Sequence, residues 1–224
     1  MTGRITGLLF DFDGTLADTI PLILASFRHT FSELEPDLDE ATFRSWIGRP
    51  LIDPLEERHP GRGQELVARY REHNLAHHDA LVEAVPGIDA VVAGLVGAGV
   101  PVGVVSSKRA ETVRRGMRIV GLPDLDVVGL EEVSRHKPHP EPLLEGARRL
   151  GLDPSGCAYV GDAVVDVQAA RAAGMTAVAV TWGASGRADL EAAGADAVVA
   201  DAAQLGELLH RLTGVDPAPV GANT

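Results

Sequence analysis

Six short apolar runs, Ile5–Phe10, Val100–Val105, Asp126–Val128, Ala158–Val160, Ala177–Val180 and Ala197–Val199, punctuate this chain. Stretches with helical periodicity separate the later ones, at Gly87–Ala98, Ala110–Ile119, Glu141–Leu150, Val165–Ala173 and Gln204–Leu212. Strands that are apolar on both faces and alternate with helices belong in a parallel sheet covered on both sides. The connections of such a sheet are right-handed crossovers. The expected fold class is therefore α/β, a Rossmann-like parallel sheet core with helices on both faces.

One region breaks the alternation. Between Thr19 and Val85 no strand stands out, whereas Pro21–Glu33, Glu40–Trp46 and Gly63–His78 have helical patterns. Asp39 is placed to cap the middle helix. Pro36, Pro50, Pro60-Gly61 and Pro86-Gly87 punctuate the segment. The expected organisation is a core of residues 1–18 and 86–215, an inserted all-helical cap of residues 19–85, and a weakly ordered tail of residues 216–224. The two boundary crossings are candidate hinges.

Ligands of an open parallel sheet gather at the carboxyl ends of its strands, and the chemistry-bearing residues stand there. The first strand runs into Asp11-Phe12-Asp13-Gly14-Thr15. Carboxylates at i and i+2 share one side of an extended chain, Gly14 permits a tight turn, and Thr15 adds a hydroxyl and an N–H. Taken alone, the segment also reads as a solvated Asp-Gly turn. The second strand ends at Ser106-Ser107-Lys108, where a serine commonly caps a helix. Lys137 is held in His136-Lys137-Pro138-His139-Pro140, and the following proline restricts its backbone to extended conformations. Tyr159-Val160-Gly161-Asp162 closes another strand, with Asp166 four residues on; Asp162 reads alone as a helix N-cap. Four such features on one sheet edge point to a shared site.

Together these residues resemble the haloacid dehalogenase-like (HAD) phosphohydrolase superfamily, over essentially the whole chain. The motifs stand in family order: Asp11 to Thr15, Ser106, Lys137, then Gly161-Asp162 with Asp166. The helical insertion is similar to the C1-type cap of the subfamily containing phosphoglycolate phosphatase and β-phosphoglucomutase. The resemblance implies that Asp11 attacks phosphorus and that Asp13 serves as acid and base. It implies a Mg²⁺ cofactor held by Asp11, the Asp13 carbonyl and Asp162, with Asp166 supporting the metal shell. Ser106 and Lys137 would hold and neutralise the phosphoryl group, with Gly14, Thr15, Ser107 and Lys108 as further substrate contacts. Dehalogenases lack an acid at the Asp13 position, so Asp13 favours phosphoryl transfer.

The cap should select the substrate. Arg49, in Trp46-Ile47-Gly48-Arg49-Pro50, is a candidate for a second anionic group or a solvated arginine; Arg109, next to Lys108, is either a phosphate contact or a surface arginine. His77 and His78 are read as cap-surface residues before substrate contacts. Ser26–Thr30, Tyr70–Asn74 and His77–Glu83 look most similar to the pyrophosphatase that accompanies HPr kinase/phosphorylase, while phosphoglycolate phosphatases share the core motifs. The expected substrate is inorganic pyrophosphate or a phosphomonoester such as phosphoglycolate. The alternatives are a β-phosphoglucomutase-type phosphomutase and, further off, a non-catalytic binding protein.

Composition narrows the partners. The net charge of −12 repels nucleic-acid backbones and anionic lipid, so neither partner is expected. A small anionic substrate stays compatible if a metal and local cations reverse the sign inside the site. The single cysteine, Cys157, permits no internal disulfide and reads as a small buried hydrophobe. Met1–Arg4 opens no long apolar run and no stretch reaches the roughly 18 apolar residues that span a bilayer, so a cytoplasmic location is expected. Monomer and homodimer both stay open.

Overall fold

A computed structural model describes residues 4–215; the tail expected at residues 216–224 lies outside the described residues. The first strand, β1 (Gly7–Phe10), sits centrally in a six-stranded sheet with β4 (Val102–Val105) and β6 (Cys157–Gly161) on its two sides. Beyond them lie β5 (Asp126–Val128), β7 (Thr176–Val180) and β8 (Ala197–Val199), in the order β5-β4-β1-β6-β7-β8. All five pairings are parallel. Successive side chains of β1 enter opposite cores: Leu8 and Phe10 pack in one layer and Leu9 in the other. The layers are covered by α5 (Ile88–Gly97), α6 (Ala110–Ile119), α7 (Glu141–Leu150), α8 (Val164–Ala172), α9 (Arg187–Ala192) and α10 (Ala202–Thr213). Cys157 is buried, and that burial pushes its thiol up to about 11.

The inserted segment is a helical cap of α1 (Ile20–Phe31), α2 (Glu40–Trp46), α3 (Ile52–Arg58) and α4 (Gly63–Leu81). Asp39 caps α2 as expected, accepting from the Thr42 N–H at 2.8 Å. The helix α3 was not anticipated. Its Pro54 sits in the first turn, where no intrahelical N–H is required. The chain's nine aromatic residues are unevenly shared: Phe27, Phe31, Phe43, Trp46 and Tyr70 all pack in the cap core. Phe27 stacks on Phe43 at 5.4 Å and meets Trp46 edge-on at 5.3 Å. Each crossing into the cap is a two-residue strand, β2 (Ala17–Asp18) and β3 (Glu83–Ala84), paired antiparallel. The candidate hinges are thus tied to one another. Among the described residues no helix is long and apolar enough to cross a membrane.

Candidate active site

The carboxyl ends of β1, β4 and β6 converge beneath the cap. Asp11, Lys137, Asp162 and Asp166 are buried there together. Lys137 Nζ lies 3.2 Å from Asp11 Oδ1 and donates to Asp166 Oδ1 at 2.6 Å and to the Tyr159 hydroxyl at 3.0 Å. The tyrosine hydroxyl in turn donates to the Val105 carbonyl at 2.9 Å. A lysine from a loop is thereby held by a strand residue as well as by two carboxylates.

Asp166 is fully engaged. Its other oxygen, Oδ2, accepts from the N–H groups of Asp162 at 3.2 Å and Ala163 at 3.0 Å, capping α8. The N-cap position of α8 is Ala163, so Asp162 does not have the N-cap role that its sequence position suggested. Asp162 Oδ1 instead accepts from the Thr15 hydroxyl at 3.3 Å, and Oδ2 accepts from the Ala184 N–H at 2.6 Å. The turn after β1 closes tightly on this carboxylate. Gly14 has φ +70, and a Cβ there would stand 2.2 Å from Asp162 Oδ2, so both conformation and space require glycine.

One carboxylate oxygen from each of Asp11, Asp162 and Asp166 lies within 4.8 Å of the others. Three buried carboxylates facing one buried ammonium leave negative charge uncompensated. The consequence appears in their proton affinities. Burial, reinforced by Asp166 and Asp13 and opposed by Lys137, pushes Asp11 up to about 7. Burial together with Asp166 and Asp11 holds Asp162 well above the usual carboxylate range. Burial alone would lower Lys137, but Asp11 and Asp166 together raise it well above an ordinary lysine. Among the described residues Asp11 Oδ1 is buried and has no hydrogen-bond partner; its 3.2 Å approach to Lys137 is a charge contact without hydrogen-bond alignment. An all-oxygen cluster with surplus negative charge and an unsatisfied acceptor fits a hard divalent cation.

Above this cluster a cavity of about 500 Å³ separates core from cap. Asp11, Asp13, Arg49, Ser106, Ser107 and Lys108 line it; Gly14, Thr15, Lys137, Asp162 and Asp166 are not part of its lining. Thr15 is fully buried and buttresses Asp162 instead of facing the cavity. Asp13 Oδ1 accepts from the Thr19 hydroxyl at 2.6 Å and from Lys108 Nζ. Among the described residues its Oδ2 has no partner. Ser106 Oγ accepts from the Lys108 N–H at 3.2 Å, leaving its proton free to donate. Ser107 faces the cap: its hydroxyl donates to the Gly48 carbonyl at 2.8 Å.

The cap residues divide differently from the sequence reading. Arg49 reaches the cavity wall, but its guanidinium is paired with Glu57 at 2.5 Å. His77 is exposed and bonds to the His73 carbonyl at 2.8 Å. His78 is fully buried, not on the surface, and neither histidine lines the cavity. Arg109 does line it. Sequence reasoning missed Thr19, Tyr159 and the loop Trp182–Ala184, whose indole N–H donates to the Thr15 carbonyl at 3.1 Å. Their position at or just beyond a strand or cap boundary was the available signal.

A family model described as "Haloacid dehalogenase-like hydrolase" matches residues 8–180. The pyrophosphatase PpaX of Listeria monocytogenes is 35% identical over 190 residues, covering 83% of this chain and 88% of its own length. PpaX of Bacillus velezensis is 35% identical over 215 residues, covering 95% and 98%. Among solved structures, a haloacid dehalogenase-like family hydrolase from Streptococcus pneumoniae superposes with a TM-score of 0.79 at 25% identity, covering 91% of this chain and 98% of its own.

Proposed function

The chain belongs to the haloacid dehalogenase-like hydrolase family, and on that premise we propose a Mg²⁺-dependent phosphohydrolase that works through an aspartyl phosphate on a small phosphorylated anion. Inorganic pyrophosphate is the leading substrate and a phosphoglycolate-like monoester the next. The observation that carries this reading is the buried Asp11 beside Lys137, with Asp13 on the same cavity wall. The relatives named pyrophosphatase, each about a third identical along most of both chains, support the choice of substrate.

Asp11, the Asp13 carbonyl and Asp162 would hold the cation. When bound, it supplies positive charge that offsets repulsion between an anionic nucleophile and an anionic substrate. Asp166, with both oxygens engaged, holds Lys137 and the Asp162 loop in place. The Asp11 carboxylate forms a bond to phosphorus as the leaving oxygen departs. Asp13 Oδ2, the oxygen not held by Thr19 or Lys108, gives that oxygen a proton. Asp13 then takes a proton from the water that attacks the aspartyl phosphate, releasing phosphate and restoring Asp11. Ser106 donates to a phosphoryl oxygen, and Lys137 balances charge on Asp11 and on the transferring group. The Ser107–Gly48 contact holds the cap near the core, and a closed cap keeps bulk water out until the first step is complete.

The test is phosphate release with Mg²⁺ across pyrophosphate, phosphoglycolate, sugar phosphates and nucleotides, ranked by kcat/KM. Asp11→Asn abolishes turnover on every accepted substrate; normal turnover by that variant would rule out the nucleophile. Interconversion of β-glucose 1- and 6-phosphates without net phosphate release would assign a mutase instead.

A further inference from the structure

We infer that Arg71 on α4 and Arg109 at the start of α6 form a two-sided clamp for a second anionic group on the substrate, next to the phosphoryl group that Asp11 attacks. The inference rests on the phosphohydrolase reading above and specifies its substrate class: a diphosphate, or a phosphomonoester whose leaving group carries its own anion.

The cavity is unusual for so acidic a chain. Its wall carries five cationic side chains, Arg49, Arg71, Lys108, Arg109 and Arg115, against the three carboxylates Asp11, Asp13 and Glu111. Local partners already hold three of the cations. Lys108 is bound to Asp13, Arg49 to Glu57, and Arg115 to Asp79 at 2.8 Å. Arg71 and Arg109 have no carboxylate within ion-pair distance among the described residues. A cation without a partner gains a charge-assisted, bidentate contact when an anion arrives, with no existing pair to break. Arg49 would first have to leave Glu57, so the clamp role passes from the residue that the sequence suggested to these two.

Placement supports the same assignment. Arg71 comes from the cap and Arg109 from the core, immediately after the Ser106-Ser107-Lys108 turn that lines the phosphoryl end of the cavity. An anion held by both bridges the two parts of the protein. Tyr70, the neighbour of Arg71 on α4, also lines the cavity, and among the described residues its hydroxyl has no hydrogen-bond partner. Both Tyr70 and Arg71 thus reach the cavity wall from α4. Phosphomonoesters with uncharged leaving groups would leave both arginines unused.

The experiment compares wild type with Arg71→Gln, Arg109→Gln and Arg71→Lys. It measures kcat/KM for pyrophosphate, phosphoglycolate and 4-nitrophenyl phosphate, and the inhibition constant of imidodiphosphate against 4-nitrophenyl phosphate turnover. Loss of a charged hydrogen-bonding partner predicts that each glutamine variant lowers the ratio of pyrophosphate to aryl phosphate kcat/KM by about tenfold or more. The loss falls mainly on KM, imidodiphosphate inhibition weakens in parallel, and Arg71→Lys recovers part of both. If wild type cleaves pyrophosphate or phosphoglycolate well and the ratio is unchanged in both glutamine variants, the clamp is overturned while the phosphohydrolase reading stands. If wild type prefers phosphomonoesters with uncharged leaving groups, the substrate class and the clamp fall together. If it releases phosphate from nothing, the reading beneath them falls as well.

Discussion

Asp166→Asn removes one charge from the interior and changes almost no volume, which makes its cost calculable from the contacts. The Lys137 and Asp166 side chains are each 1% exposed and 2.6 Å apart. The carboxylate uses one oxygen for Lys137 and the other for the N–H groups of Asp162 and Ala163. An amide has only one oxygen. Turned toward Lys137, it confronts the two backbone N–H groups with its own NH₂; turned the other way, it sets that NH₂ against the ammonium. Breaking a buried pair from one side costs about 3–5 kcal/mol; Lys137 keeps Asp11 at 3.2 Å, so the cost comes from the lost 2.6 Å contact and from the NH₂ set against either the ammonium or the two backbone N–H groups. For a chain of this size that corresponds to a fall in Tm of roughly 6–20 °C. The assay is thermal unfolding by circular dichroism in EDTA at pH 7, where no bound cation contributes. Lys137→Met and the double variant Lys137→Met/Asp166→Asn close a cycle, and the double variant should lose less stability than the two single variants together, because the pair is removed only once. An Asp166→Asn variant within about 2 °C of wild type, or losses that simply add in the double variant, would refute the claim that this pair organises the site.

Two further perturbations test separate parts of the structure. Gly14→Ala forces a side chain into a left-handed conformation, costing about 1–2 kcal/mol, and drives its Cβ toward Asp162 Oδ2, 2.2 Å away in the native geometry. Mg²⁺ affinity, followed by titration calorimetry, should fall further than the modest loss of Tm suggests, and unchanged affinity would contradict the tight packing of the turn on Asp162. In the cap, hydrogen bonds from Arg58 and His59 hold the Glu35 carboxyl down to about 2. A carboxylate lowered on folding contributes stability that is fully present above its unfolded value near 4.5 and lost as pH falls through about 2. Glu35→Gln should therefore be less stable than wild type at pH 6, with the gap closing between about pH 4.5 and 2 in thermal melts; a constant gap over that window would exclude the linkage.

The alternation of apolar strands and helices was enough to specify the parallel sheet, because strands buried on both faces admit few other environments. The position of Asp11, Ser106 and Asp162 at strand ends, and of Lys137 in a following loop, was equally legible, since in a sheet of parallel strands the carboxyl ends share one edge. The Glu40–Trp46 helix was readable from Asp39 because a cap is a local interaction. The helix α3 was hidden by prolines that tolerate a first turn. The two-residue strands β2 and β3 were hidden because neither has a pattern of its own and each exists only by pairing with the other.

What the sequence determined was therefore chemistry by residue type and position along the chain. What tertiary structure alone decided was which groups are already occupied. Asp11 and Asp166 are residues of one kind, yet among the described residues Asp11 keeps an oxygen without a hydrogen bond while Asp166 has both of its oxygens engaged. Arg49 and Arg71 are likewise one residue type in one cap, yet among the described residues Arg49 is paired with Glu57 while Arg71 has no carboxylate within ion-pair distance. Whether a charged group is spent on structure or left for a ligand depends on partners distant in sequence, and folding alone brings those within reach.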